Sequence, residues 1–159
     1  MKSAAFGRIG LIIVSSATGT SLAHAAAPIA VDGWHYIEAP NGLQVYVCDR
    51  PDCVEGSRVM CAFDPPNSAA LPGSWWKQEA IVSELLGEPS KTFSSSSIEL
   101  ATGRMYELAT SSDGTKTYYE FGEVKGPNWR ASVSSASRDE KASQENLTRF
   151  EAALKHVTN

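Results

Sequence analysis

Histidine and cysteine are scarce in this 159-residue chain, which has three of each, and His24 lies within the first 25 residues. No G-x-S-x-G elbow, H-E-x-x-H pair or Gly-rich phosphate loop occurs, so nothing anchors a serine-hydrolase, zinc-protease or nucleotide-binding reading. The absence of any run of Lys or Arg argues against nucleic acid or an anionic membrane as partner. Beyond the first 25 residues, no apolar run approaches the ~20 residues that a membrane-spanning helix needs. There is no internal repeat and no long low-complexity linker.

The N-terminus has the three parts of a secretory signal peptide. Lys2 and Arg8 form a positive start, an apolar stretch runs from Ile9 through Val14 to Leu22, and Ala23-His24-Ala25 is a small-residue cleavage pattern. Ser15, Ser16, Thr18, Thr20 and Ser21 dilute the apolar stretch too far for a membrane anchor. The expectation is a cleavable leader over residues 1–25 and a single α+β domain over 26–159, exported to the periplasm or beyond. Loss of Lys2 and Arg8 takes the balance from 14 basic and 18 acidic side chains to 12 and 18, a net charge of about −6.

The three cysteines, Cys48, Cys53 and Cys61, fall within fourteen residues. In an oxidising compartment thiols this close tend to pair. Cys48–Cys53 would tie a loop to its own strand end, whereas Cys48–Cys61 would bridge two strands. The first is favoured, because strand alternation places Cys61 among the core-facing residues, where a thiol behaves as a small hydrophobe. A metal site made by the three thiols with His35 is the sharper alternative. The intervening gaps of four and seven residues and the lack of a second ligand pair do not match structural zinc spacing. Nor is there a C-x-x-C redox motif. No cofactor is implied.

Period-two patterning predicts strands at 33–38, 43–48 and 58–63, with Ala39-Pro40-Asn41-Gly42 as a turn. Ser74 is a good N-cap for a helix over 74–86, with Trp75, Val82, Leu85 and Leu86 on its apolar face and Gly87 and Pro89 as its stop. Four further strands follow at 92–101, 104–110, 115–123 and 129–135, joined by Thr102-Gly103, Asp113-Gly114 and Gly126-Pro127-Asn128. Ser137-Arg138-Asp139-Glu140 reads as a capping box, with Ser137 as N-cap. Leu147, Phe150, Leu154 and Val157 then lie on one face of a long closing helix. The predicted fold is an antiparallel meandering sheet of six to seven strands, flanked by two helices.

This order of elements, with Glu120-Phe121-Gly122-Glu123-Val124-Lys125-Gly126 running into Trp129, then Asn146-Leu147 and Phe150, resembles the PsbP-like superfamily. Its members include photosystem extrinsic subunits and small bacterial envelope proteins. The resemblance implies an antiparallel sheet with flanking helices and a non-enzymatic accessory or binding role. The cysteine cluster departs from the general pattern.

Candidate chemistry is thin. Asp139 and Glu140 suit a helix N-terminus, and Glu120 and Glu123 read as solvent-side strand residues. Two aromatic pairs are the remaining lead. Trp75 and Trp76 diverge by ~100° around a helix, and Tyr118 and Tyr119 point to opposite faces of a strand. One member of each pair is a candidate contact anchor for a protein or glycan partner in the envelope. The expected function is that of an exported, non-enzymatic binding or accessory protein. The alternatives are a periplasmic inhibitor of a lysozyme or protease, using the loop from Asp49 to Glu55 as a wedge, and a thiol- or metal-dependent enzyme centred on the cysteines.

Overall fold

The structure is a computed structural model that describes residues 28–64, 75–89, 91–93, 98–99 and 105–157. The predicted leader and the Ser74 cap lie outside the described residues. The strands are β1 (Trp34–Glu38), β2 (Gln44–Cys48), β3 (Arg58–Asp64), β4 (Lys91–Phe93), β5 (Ile98–Glu99), β6 (Met105–Ser111), β7 (Lys116–Lys125) and β8 (Arg130–Ser137). The helices are α1 (Trp75–Leu85) and α2 (Glu140–Leu154). Among the described residues, these eight strands form one antiparallel sheet in the order β1-β2-β3-β8-β7-β6-β4, with β5 also paired to β6. Two meanders are thus joined edge to edge where β3 meets β8. The single strand predicted over 92–101 is two short ones, β4 and β5, both laid against β6.

Alternation along the strands sends successive side chains to opposite faces, and each face receives one helix. Tyr46, Val59, Cys61 and Val133 point toward α2 and meet Leu147, Phe150 and Leu154 in one core, with the Trp34 ring edge-on to Phe150 at 4.9 Å. Val45 and Met60 point the other way and pack on Val82 of α1. The strand under α2 is built of small residues: β8 reads Arg-Ala-Ser-Val-Ser-Ser-Ala-Ser and is almost wholly buried. Short side chains let the helix approach closely enough for Ser143 Oγ to donate to the Ser135 carbonyl at 3.2 Å. The same constraint explains a glycine within β7. A Cβ on Gly122 would lie 2.2 Å from Glu151 Oε1 and 3.6 Å from Leu147 Cδ2, both on α2.

Three local expectations are corrected. The N-cap of α2 is Asp139, whose side chain accepts from the Ala142 amide at 2.8 Å. Ser137 is the last residue of β8, paired with Tyr118, so it cannot take the cap position. Glu120 is buried, not solvent-side, because β7 runs through the sheet interior and turns this position toward α2. On α1, Leu85 points outward and is 47 % exposed, while Glu79 takes an inward position beside Val82.

Phe150 is fully buried at the centre of the α2-side core. Phe150→Ala should therefore cost about 3–5 kcal/mol in urea unfolding; a loss below about 1 kcal/mol would show that α2 is not seated as described.

Candidate functional site

The inward stripe of α1 carries Glu79, Val82 and Ser83, and Leu86 in the turn that follows continues the same face. Beneath it, β3 begins with Arg58, whose side chain is 3 % exposed. A carboxylate and a guanidinium buried this deeply persist only if paired; here they pair through Glu79 Oε1 and Arg58 Nη2, while Glu79 Oε2 and Arg58 Nε have no hydrogen-bond partner among the described residues. Glu79 Oε1 accepts from Arg58 Nη2, from the Tyr119 hydroxyl at 2.6 Å, and from Lys91 Nζ and Ser83 Oγ at 3.2 Å each. Gly87, at φ +66°, turns the chain out of α1 and brings Glu88 back over the same group. Glu88 Oε1 accepts from Arg58 Nη1 at 2.6 Å and Oε2 accepts from Lys91 Nζ. Two cations and two carboxylates make a neutral cluster. It joins β3, α1, β4 and β7, with the guanidinium carbon 5.8 Å from the Tyr119 ring centre.

Burial opposes the charge on Arg58, but Glu79, Tyr119 and Glu88 outweigh it and hold the guanidinium above its ordinary pKa. Burial is also the main cause that pushes the Tyr119 phenol far above its ordinary value, with the Glu79 charge adding to it and Arg58 pulling the other way.

A cleft of about 170 Å³ lies between the turn after α1 and the β2–β3 loop, with the Arg58–Glu88 pair at its base. Val47, Val54 and Leu86 supply apolar walls, and Arg50 and Glu55 line the loop side. The loop is held from several directions. Cys48 and Cys53 are joined, with Cα atoms 6.2 Å apart. The Asp49 amide donates to the Gly33 carbonyl at 3.0 Å, and the Arg138 amide donates to the Glu55 carbonyl at 3.2 Å. Arg50 Nε donates to Asp52 Oδ1 at 2.8 Å and Nη2 pairs with Oδ2; the guanidinium holds the Asp52 carboxyl below its usual range.

The cysteine residues of interest are therefore split. Cys48 and Cys53 line the cleft, whereas Cys61 is a buried thiol in the α2-side core, its pKa pushed up by burial. The three thiols do not converge, and His35 stands exposed at the surface with Nδ1 3.8 Å from Asp49 Oδ2. Of the aromatic pairs, Trp75 and Trp76 open α1 with side chains outside the described set. Tyr118 is half-buried. Tyr119 must be removed from the contact surface, because it is fully buried with its hydroxyl in the ion cluster. Among the described residues, the large hydrophobics that stand exposed are Val54, on the disulfide loop, and Leu85, next to the cleft residue Leu86.

Sequence reasoning missed Arg58, Glu79, Glu88 and Lys91. One signal was available: Glu79 falls at i−3 and i−7 from Val82 and Leu86, a charge inside an apolar stripe.

No family model and no curated protein matches the chain. Among solved structures it is similar to the 1.9 Å crystal structure of the Saccharomyces cerevisiae Ran-binding protein Mog1p, at 14 % identity over 79 % of this chain and 83 % of that one, TM-score 0.37. A point mutant of Mog1 matches at 14 % identity over 79 % and 84 %, TM-score 0.36. A likeness at this level carries no argument about function.

Tyr119 stays protonated in the folded chain at pH values where a free phenol, with its pKa near 10.0, ionises. Above that value the unfolded chain binds fewer protons, so stability should fall as pH rises past about 10. Tyr119→Phe should flatten this alkaline slope in urea titrations at pH 9 to 11; an unchanged slope would place the phenol in solvent.

Proposed function

We propose that the protein is an exported, non-enzymatic binding or accessory protein that engages a protein or glycan partner at the rim of the disulfide-bounded cleft. The observation that carries this reading is the stapled loop, which holds Val54 exposed at a small cleft of mixed polar and aliphatic lining. A fixed loop loses little conformational freedom on binding, which favours recognition. Arg58 and Glu88, which line the cleft, are committed to the cluster they form with the buried Glu79 and Lys91, in which the four charges neutralise each other, an arrangement suited to holding shape rather than to moving protons. The leader pattern of residues 1–25 and a disulfide both suit an oxidising compartment outside the cytoplasm. The PsbP-like resemblance implies an accessory role of the same kind.

A second reading is supported by the same loop. Inhibition of a lysozyme or protease fits a rigid projection between Cys48 and Glu55, with Val54 as the inserted residue.

Immobilised wild-type protein and a Val54→Asp variant, challenged with envelope extract and a hydrolase panel, separate these readings. A component held about tenfold more tightly by the wild type is the expected outcome, and loss of a hydrolase activity would make that component the inhibited enzyme. Equal retention by both proteins, or none by either, would contradict binding at this rim.

A further inference from the structure

The sheet ends on β1, and the outer side of that strand is open. The Asp49 amide donates to the Gly33 carbonyl and the Ala39 amide to the Leu43 carbonyl, both at 3.0 Å, one at each end of the β1–β2 ladder. Hydrogen-bonded and non-bonded pairs alternate along an antiparallel ladder, so His35 and Ile37 turn their backbone groups to β2. Those of Trp34, Tyr36 and Glu38 point the other way, off the sheet. The Trp34 amide donates to the Val31 carbonyl at 3.1 Å. Among the described residues, nothing pairs with the amides and carbonyls of Tyr36 and Glu38 or with the Trp34 carbonyl. Edge strands are commonly blunted by proline, lysine or a bulge. Trp34-His35-Tyr36-Ile37-Glu38 has none of these and pairs with β2 residue for residue.

We propose that β1 pairs antiparallel with β1 of a second copy of this chain, about a two-fold axis at Tyr36, so that two sheets run into one. A two-fold interface must be self-complementary, and this edge is. With Tyr36 on the axis, its amide and carbonyl exchange bonds with the partner's Tyr36, and the Glu38 amide donates to the carbonyl of the partner's Trp34. The amide left out of this pattern, that of Trp34, is already bonded within its own chain. Charge fixes the register. Centring on Tyr36 sets the two Glu38 carboxylates at opposite ends of the paired strands, about 13 Å apart along them and beyond the screening length of ~8 Å. Moving the axis to Ile37 halves that separation, and moving it to Glu38 sets the carboxylates face to face. Moving it to His35 opposes Glu38 to Asp32, again acid to acid. No residue of β1 lines the cleft, so this interface goes beyond the binding reading and leaves it untouched.

A pair of short strands is a small interface of the weak class. The test is therefore sedimentation equilibrium of the purified protein from about 10 µM to about 1 mM, with amide hydrogen exchange read by NMR at both ends of that range. The expected result is a monomer–dimer equilibrium with a dissociation constant on the order of 100 µM. The Tyr36 and Glu38 amides should exchange at least about threefold more slowly at the high concentration, while those of His35 and Ile37, bonded to β2 throughout, do not change. Glu38→Pro removes an outward amide without touching the ladder to β2, and should weaken dimerisation at least about tenfold at a nearly unchanged Tm. Glu38→Gln keeps the amide, and should dimerise at least as tightly as the wild type. A monomer at about 1 mM, an affinity that Glu38→Pro leaves unaltered, or loss of the dimer in Glu38→Gln would each overturn the proposal. Protection of the Tyr36 and Glu38 amides by an extended peptide, in a chain that stays monomeric, would overturn it too and make that peptide the occupant. Should Glu38→Pro fail to fold, the concentration dependence of the wild-type amides decides alone.

Discussion

Arg58 and Glu79 meet below the surface, between the first residue of β3 and the inner stripe of α1, and the architecture of that face of the sheet follows from their meeting. A buried ion pair of this kind adds little net stability over a well-packed apolar alternative, but removal of one partner strands the other charge, at a cost of about 3–5 kcal/mol. The pair therefore acts as a constraint on geometry. α1 must lie where Glu79 reaches Arg58, the chain must turn at Gly87 so that Glu88 reaches the other guanidinium nitrogen, and β4 must begin where Lys91 closes the set. Tyr119 extends the same network into β7.

On the opposite face α2 presents Leu147, Phe150 and Leu154 to Val59, Cys61 and Val133 in close packing, and Ser143 Oγ donates to the Ser135 carbonyl beneath it. The two helices are held by different physics: one by apolar contact over small strand residues, the other by a few apolar side chains around a charged centre. The cleft lies on the charged side, between the turn after α1 and the stapled β2–β3 loop, with Arg58 and Glu88 among its lining residues.

Most of the fold was legible in the sequence because it rests on local periodicity. The strands at 34–38, 44–48 and 58–64, the later meander and both helices follow from alternation, turn residues and i, i+3, i+7 spacing. Strand alternation also placed Cys61 in the core and left Cys48 to Cys53. The errors arose where a local pattern competed with a distant partner. Ser137 looks like a cap until β8 claims it, and Tyr119 looks like a surface aromatic until a carboxylate 40 positions away binds its hydroxyl. Glu79 could be noticed as a charge within an apolar stripe. Its neutralisation by Arg58 and Lys91 depends on pairings across β3, α1 and β4 that no local signal encodes.

Arg58 holds α1 to the sheet through Glu79, independently of α2. Native-state hydrogen exchange on Arg58→Met tests this directly. Amides of α1 should exchange at least about tenfold faster than in the wild type, while those of α2 around Leu147 and Phe150 keep their protection. Equal acceleration of both helices, or no change in α1, would contradict the claim that the buried ion cluster is what seats this helix.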